Sequence, residues 1–242
     1  MKERLMNIWA LMQDNVMFLL ISGGIVVALA VIAKLSERWL PGMRKVSPAR
    51  KITITAIWAA IATVLHILDF SIPFLAPDFY KLDFSELPVM LCGFYLGPAA
   101  AVYCEAVKIL LKLLIKGTST VFVGDFANIC IGCSLVLPAV IIYHTKKNRK
   151  TALLGLGIGT LVLTVFGSAF NGIYLLPKFA QMFYKSSMDT IVSKGSEINP
   201  WISNVTTFVI LAVAPLNLIK GISVSALTLL LYKKVARPLF GK

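Results

Sequence analysis

Two polar residues in the last apolar stretch of the chain, Asn217 and Lys220, have the side chains and the spacing to bind a small molecule. They are three residues apart, so they share one face of a helix. An amide and an ammonium can together hydrogen-bond a flat ring edge that alternates carbonyl oxygens with N–H groups, as a pyrimidine-dione does. Buried ionisable residues in membranes are usually functional, which favours this interpretation. The structural alternative pairs Lys220 with Glu86 or Glu105, and leaves Asn217 bonding the backbone kinked at Pro215.

A second polar group begins the segment Lys81–Pro98, KLDFSELPVMLCGFYLGP, in which Asp83 and Glu86 directly precede an apolar run. The run is too short to cross a membrane, since a spanning helix needs about 20 residues. Pro88 suits the first turn of a helix, and Ser85 is a suitable N-cap. We therefore expect a loop that enters the membrane through a short helix, with its two carboxylates facing a partner or a wet cavity.

Four charged residues lie on one predicted helix, Glu105, Lys108, Lys112 and Lys116. Their spacing places them on one face, either as a polar stripe in which Glu105 neutralises a lysine or as the wall of a cavity. Both interpretations stay open for Glu105 and Lys108. The stripe is favoured for Lys112 and Lys116.

The remaining motifs favour packing over catalysis. Cys130 and Cys133 form a CxxC inside an apolar helix without a second pair, and the two histidines of the chain lack metal-ligand spacing. The GxGxG at residues 155–159 lies in a membrane helix, which indicates close helix packing and not a dinucleotide loop. There is no GxSxG, HExxH or P-loop motif. We expect no enzyme, no metal, no cofactor and no ATP hydrolysis by this chain itself.

The composition predicts an all-α polytopic membrane protein. Hydrophobic residues make up 58% and charged residues 14% of the 242 residues, whereas soluble domains carry about 25% charged residues. The net charge of +13 would suggest nucleic acid in a soluble protein. Here 14 of the 24 Lys and Arg lie in segments 34–51, 144–150 and 233–242, against four in 69–81 and 177–200. This asymmetry follows the positive-inside rule, so we expect a lipid membrane and no nucleic acid as partner.

The chain divides at residue 51 into two parts. Residues 1–51 contain an extra transmembrane helix over 16–33 and a basic cytoplasmic linker. A signal peptide with Lys2 and Arg4 is the alternative, although its apolar core would start late. Residues 52–242 form a six-helix domain. Its expected spans are 52–68, the short helix after Glu86, 99–116, 125–143, 151–176 and 201–232.

Small residues mark one face of the span 52–68. Ala56, Ala59 and Ala60 would let another helix approach closely, so we expect this face to contact another protein.

In order and spacing, several of these segments resemble the substrate-binding S components of energy-coupling-factor (ECF) vitamin transporters, above all those specific for riboflavin. The resemblance covers residues 50–235. Its motifs are IPFL at 72–75, LDFSELP at 82–88, GP at 97–98, GDFAN at 124–128, LPA at 137–139, FN at 170–171, LP at 176–177 and PLNLIKG at 215–221.

The resemblance implies a prokaryotic cell-membrane protein that captures riboflavin as transported ligand and not as cofactor. Asn171, Asn217 and Lys220 would hold the ring, and the loop Asp69–Leu82 would close over it. Phe74, Leu82, Asp83 and Glu86 complete the expected site. The implied partners are a transmembrane coupling protein, docked on Ala56 and Ala60, and two ATPases. The extra first helix departs from the family pattern.

Three alternatives stay open. One is an S component for another flat vitamin or for a phosphorylated flavin. The second is an ion-coupled secondary carrier, against which the absence of an internal repeat argues. The third is a membrane enzyme acting on a lipid, which would need a catalytic dyad or a metal cluster.

Overall fold

The computed structural model describes residues 16–41, 43, 46–183 and 188–240, with the backbone alone at 182–183 and 233–240. Most of these residues are α-helical, and one two-stranded hairpin lies between the second and third helices. The helices are α1 Val16–Trp39, α2 Pro48–Ile67, α3 Glu86–Leu96, α4 Pro98–Ile115, α5 Val123–Lys146, α6 Arg149–Phe170, α7 Leu176–Phe183, α8 Met188–Ile198, α9 Val205–Phe208 and α10 Ala214–Phe240. The all-α prediction is confirmed.

Five helical segments of the described chain are long and apolar enough to cross a membrane, by length and composition. They are Val16–Trp39, Pro48–Ile67, Val123–Lys146, Arg149–Gln181 and Val205–Tyr232. Two other helices complete the bundle: α4 carries several charged residues, and α3 has only 11 residues. The protein is therefore a multi-pass membrane protein.

The short helix α3 is the centre of the bundle. Every residue from Glu86 to Leu96 is buried, and α2, α4, α5 and α10 surround it. Gly93 allows this packing, because a Cβ there would lie 2.5 Å from a methyl carbon of Val140. The predicted short helix after Ser85 is confirmed, and its place at the membrane entry stays a prediction.

Helices α5 and α6 are in backbone contact. A Cβ at Gly155 would lie 2.6 Å from the carbonyl oxygen of Ala139, and one at Gly159 would lie 2.4 Å from that of Leu135. Gly157 faces open space. The GxGxG sequence is thus a helix-packing pattern, as predicted, with two of its three glycines at the interface.

The bundle has two chemically different ends. The basic end contains Trp39, the start of α2 and the turn between Lys146 and Arg149; there, Glu37 accepts a hydrogen bond from the Ala99 amide at 3.1 Å. The opposite end contains the hairpin of Phe70–Ser71 with Lys81–Leu82 and the segments between α6 and α10.

Two π-helical turns interrupt the long helices near this second end. Asn171–Leu175 follows α6, Val209–Val213 precedes α10, and the two turns pack against each other. Such turns widen a helix locally and occur often at functional sites.

The extra helix α1 packs along α4 and α5. Ala33 is fully buried against Ala99, and Phe18 meets Phe126 edge to face with ring centroids 5.9 Å apart. Residues 1–15, including Lys2 and Arg4 of the alternative signal peptide, lie outside the described residues. So do Arg44 and Lys45 of the basic linker and the last two residues of the basic segment 233–242.

Candidate ligand-binding site

A cavity opens at the end of the bundle opposite the basic end. It has a volume of about 200 Å³ and adjoins a vestibule of about 630 Å³, and the two share wall residues such as Phe79, Lys112 and Thr120. Together they reach the size range of small-molecule sites, about 300–1,000 Å³. The cavity walls come from the ends of α2 and α4, the hairpin loop, α5, the first π-helical turn, α7 and α10.

Asn171 is fixed in this wall by two hydrogen bonds. Its Nδ2 donates to the carbonyl oxygen of Gly167 at 2.7 Å, and its Oδ1 accepts from the Tyr80 hydroxyl at 2.9 Å. Burial raises the pKa of the Tyr80 phenol, so the hydroxyl keeps its proton and remains the donor. The loop between the hairpin strands is thereby tied to the end of α6.

Asn217 has an unpaired donor. The side chain is only 7% exposed, and its Nδ2 has no hydrogen-bond partner among the described residues. It lies against Gly167, where a Cβ would lie 2.9 Å from this nitrogen. A buried N–H without a partner destabilises a protein by about 1–3 kcal/mol, and this one borders the cavity, where a ligand or water can supply the acceptor. The hydrogen bond to the backbone near Pro215, which the alternative interpretation expected of Asn217, is not made by this nitrogen.

Lys220 lines the cavity and also binds two carboxylates. Its Nζ lies 3.3 Å from Oδ2 of Asp83 and 3.0 Å from Oε2 of Glu86. His66 Nδ1 lies 3.3 Å from the same Asp83 oxygen. Burial alone would raise the pKa of Asp83, but the Lys220 ammonium and the neighbouring His66 ring hold it well below its usual range. Asp83 is therefore ionised. The predicted pairing of Lys220 with Glu86 is confirmed, and its contact with a ligand stays a prediction.

A second layer of charge lies beneath the cavity. Lys108 is fully buried, donates to Glu105 and to the Ser85 hydroxyl at 3.0 Å, and lies 3.5 Å from Glu86. None of these four residues lines the cavity. Glu105 thus neutralises a lysine, as the polar-stripe interpretation expected.

Ser85 occupies the N-cap position of α3, as predicted, but its side chain does not cap the helix. Its hydroxyl accepts a hydrogen bond from Lys108 and makes none with a helix N–H.

The sequence favours the polar stripe over the cavity wall for Lys112, but this residue lines the cavity. Its ammonium binds Asp125 at the start of α5, and Asp125 accepts a second hydrogen bond from the Thr118 hydroxyl at 2.7 Å. Asn128, one turn further along α5, lines the same wall. The GDFAN motif at 124–128 was visible in the sequence, but nothing in its spacing paired Asp125 with a lysine of the preceding helix.

The mouth of the cavity is held by charges around Asp69. Lys116 Nζ lies 3.2 Å from both Asp69 oxygens, and Lys81 Nζ lies 3.2 Å from Oδ1. These pairs join the start of the hairpin to the end of α4 and to the second hairpin strand. We call the trio Asp69, Lys81 and Lys116 the latch.

Two expected site residues are not at the cavity wall. Phe74 is 83% exposed and does not line the cavity; Phe79 and Tyr80 of the same loop do. Glu86 lies behind Lys220, which it orients. Leu82 and Asp83 are wall residues, as expected.

The small-residue face on α2 needs one correction. Ala56 and Ala60 are exposed, but Ala59 is fully buried in the main core cluster, so it cannot contact another protein. The helical period places it toward α3 and α4, one residue off the exposed stripe.

Metal chemistry has no support in the described residues. They contain no group of three or more His, Cys, Asp or Glu that could hold a metal ion, and the four cysteines are buried thiols. Asn, Lys and aromatic side chains around a cavity of mixed polar and apolar lining suit an organic ligand.

The fold and this cavity define an all-α membrane protein with a polar-lined cavity at one end of its helical bundle. The sequence profile described as "ECF transporter, substrate-specific component" matches residues 50–232. The chain therefore belongs to the family of ECF transporter S components, as its motifs predicted. It is a transporter subunit and not an enzyme. The match begins after α1.

Named relatives and a solved structure agree with this assignment. The chain is 36% identical to "Riboflavin transporter RibU" of Staphylococcus aureus (strain TCH60) over 77% of its own length and 90% of that protein. It is 28% identical to "Riboflavin transporter FmnP" of Bacillus subtilis (strain 168) over 77% and 92%. The structure described as "Structure and mechanism of the S component of a bacterial ECF transporter" matches with a TM-score of 0.63 and 33% identity. That match covers 80% of this chain and 99% of the other.

Proposed function

We propose that this protein is the riboflavin-binding subunit of an ECF transporter in the cytoplasmic membrane of a prokaryote. The observation that carries the proposal is the unpaired Nδ2 of Asn217, buried beside Asn171 and Lys220 in one cavity. The choice of riboflavin as the ligand rests on the relatives that are named riboflavin transporters. The dione edge of a flavin offers the acceptor that this nitrogen lacks.

Each wall residue has a distinct part in binding. Asn217 donates to a carbonyl oxygen of the ring, and Lys220 presents a charge that Asp83 and Glu86 hold in place. Phe79, Tyr80 and Leu216 provide apolar surface for the ring faces. The Tyr80–Asn171 hydrogen bond and the latch keep the loop over the ligand.

Transport would need an ATP-hydrolysing partner, because the sequence has no Walker motif. We propose that a transmembrane coupling protein docks on Ala56 and Ala60 and that two ATPases power the complex. With the basic end in the cytoplasm, the cavity faces outward, where it can collect the vitamin.

Uptake into proteoliposomes that contain the purified chain alone tests this proposal against an ion-coupled carrier. We expect riboflavin to bind but not to accumulate, with or without a proton or sodium gradient. Gradient-driven accumulation would instead identify a secondary carrier. A purified protein that neither binds nor carries riboflavin would exclude both.

A further inference from the structure

An apolar groove runs up the outside of the bundle from its basic end. It has a volume of about 460 Å³ and almost no polar surface. Its lining residues are Lys34 of α1, Pro48, Lys51, Ile52, Thr55 and Ala56 of α2, and Tyr103 and Val107 of α4. The Thr55 hydroxyl donates to the Lys51 carbonyl oxygen at 2.8 Å, so it presents no free polar group to the groove. From Pro48 to Ala56 the groove is roughly 12 Å long, at 1.5 Å per residue.

Two ammonium groups stand at the basic end of this groove. Lys34 and Lys51 lie 3.2 and 3.8 Å from the carboxylate of Glu37, which also accepts the Ala99 amide hydrogen bond. Two cations against one shared carboxylate leave a net positive charge. Lys34 has a side chain that is 62% exposed, so it is free to meet a second anion.

The groove therefore suits a ligand with an anionic head and an apolar tail. Basic residues between helices at the cytoplasmic side of a membrane bind anionic lipid headgroups. A helix of another protein would fill the apolar part but would leave the excess positive charge beside Glu37 uncompensated, unless it carried an acidic residue at that level. We propose that the groove binds one anionic phospholipid, with its phosphate at Lys34 and Lys51 and an acyl chain along Ile52, Ala56 and Val107. This site is separate from the cavity, and it shares Ala56 with the face on which the coupling protein is proposed to dock.

Native mass spectrometry of the delipidated protein, with phosphatidylglycerol or phosphatidylcholine of the same chains added, tests the proposal. We expect the wild type to retain one phosphatidylglycerol about tenfold more strongly than phosphatidylcholine, because two lysines act on its charge. Lys34→Gln with Lys51→Gln should remove this preference. Val107→Trp should weaken retention of both lipids, because it fills the groove and leaves the charges intact.

A charge-matched variant provides the control. Lys146→Gln with Lys150→Gln removes two positive charges at the same end but outside the groove, so it should retain phosphatidylglycerol as the wild type does. Equal retention of the two lipids by the wild type would overturn the proposal. Equal loss of phosphatidylglycerol retention in both double variants would also overturn it, because that would mean a general charge effect. So would the appearance of a dimer in place of the lipid adduct.

Discussion

Nζ of Lys220 lies 3.0 Å from Oε2 of Glu86, which joins the last long helix of the chain to the first turn of the buried helix α3. Both residues are at least nine-tenths buried, and Asp83 completes the group at 3.3 Å from the same ammonium. The charge that reaches the cavity is therefore held by the core of the fold. Binding and stability are coupled at this residue.

Removing the Lys220 charge should destabilise the fold. In Lys220→Met, two buried carboxylates lose the cation that they share. Removing one partner of a buried ion pair lowers the free energy of unfolding by about 3–5 kcal/mol. Thermal unfolding in detergent should show a clear loss of stability. Lys220→Met with Asp83→Asn should recover part of it, because one carboxylate is then neutral. Lys150→Met, at an exposed position, is the control; a Lys220→Met protein as stable as the control would refute the coupling.

The latch should control how long the ligand stays bound. Asp69→Asn removes the charge that Lys81 and Lys116 share, while the hairpin and the cavity wall remain. Partly exposed pairs of this kind contribute about 0–1 kcal/mol, so we expect riboflavin to dissociate up to about fivefold faster. Stopped-flow fluorescence measures this rate. Asp78→Asn, in the same loop but outside the latch, should dissociate at the wild-type rate, and equal rates in all three proteins would mean that the latch does not hold the loop.

Coupling to a transport partner should depend on the exposed face of α2. Ala56→Trp with Ala60→Trp should abolish riboflavin uptake in cells and leave binding by the purified protein intact, because the bulky side chains prevent close helix approach. Ala60→Trp alone separates this effect from the lipid groove, which Ala60 does not line. Ala59→Trp should instead damage the fold, since Ala59 is fully buried. Normal uptake by the double variant would mean that the transport partner does not dock on this face of α2.

The topology predicts that the basic end lies in the cytoplasm. A membrane-impermeant maleimide applied to intact cells should fail to label Arg50→Cys or Lys150→Cys and should label Asp78→Cys near the cavity mouth. The four native cysteines are buried, so they should give little background. Labelling of Arg50→Cys or Lys150→Cys from outside would invert the arrangement.

Local sequence patterns were enough to find one side of the site but not the other. Asn217 and Lys220 could be placed together because a spacing of three residues fixes a shared helix face. Tyr80 and Asn171 are 91 residues apart, and their contact depends on how a loop folds over the bundle, which no period encodes. Lys112 was missed for a similar reason, because its partner Asp125 lies beyond a turn whose residues Val121 and Phe122 have positive φ angles of 47° and 67°. Ala59 was misassigned because an alanine is equally suitable for a core and for an interface.

Titration of the purified protein with riboflavin, followed by flavin fluorescence quenching, shows directly whether the cavity binds riboflavin through Asn217. The wild type should quench one equivalent saturably without any ATPase present. Asn217→Ala should weaken binding by roughly ten- to a hundredfold, since a ligand oxygen loses its buried partner at a loss of about 1–3 kcal/mol. Asn148→Ala removes a helix cap at the basic end, so it should lower stability by about 1 kcal/mol and leave the affinity unchanged. Wild-type affinity in Asn217→Ala would mean that Asn217 does not bind the ring, and a wild type without saturable quenching would mean that the protein does not bind riboflavin.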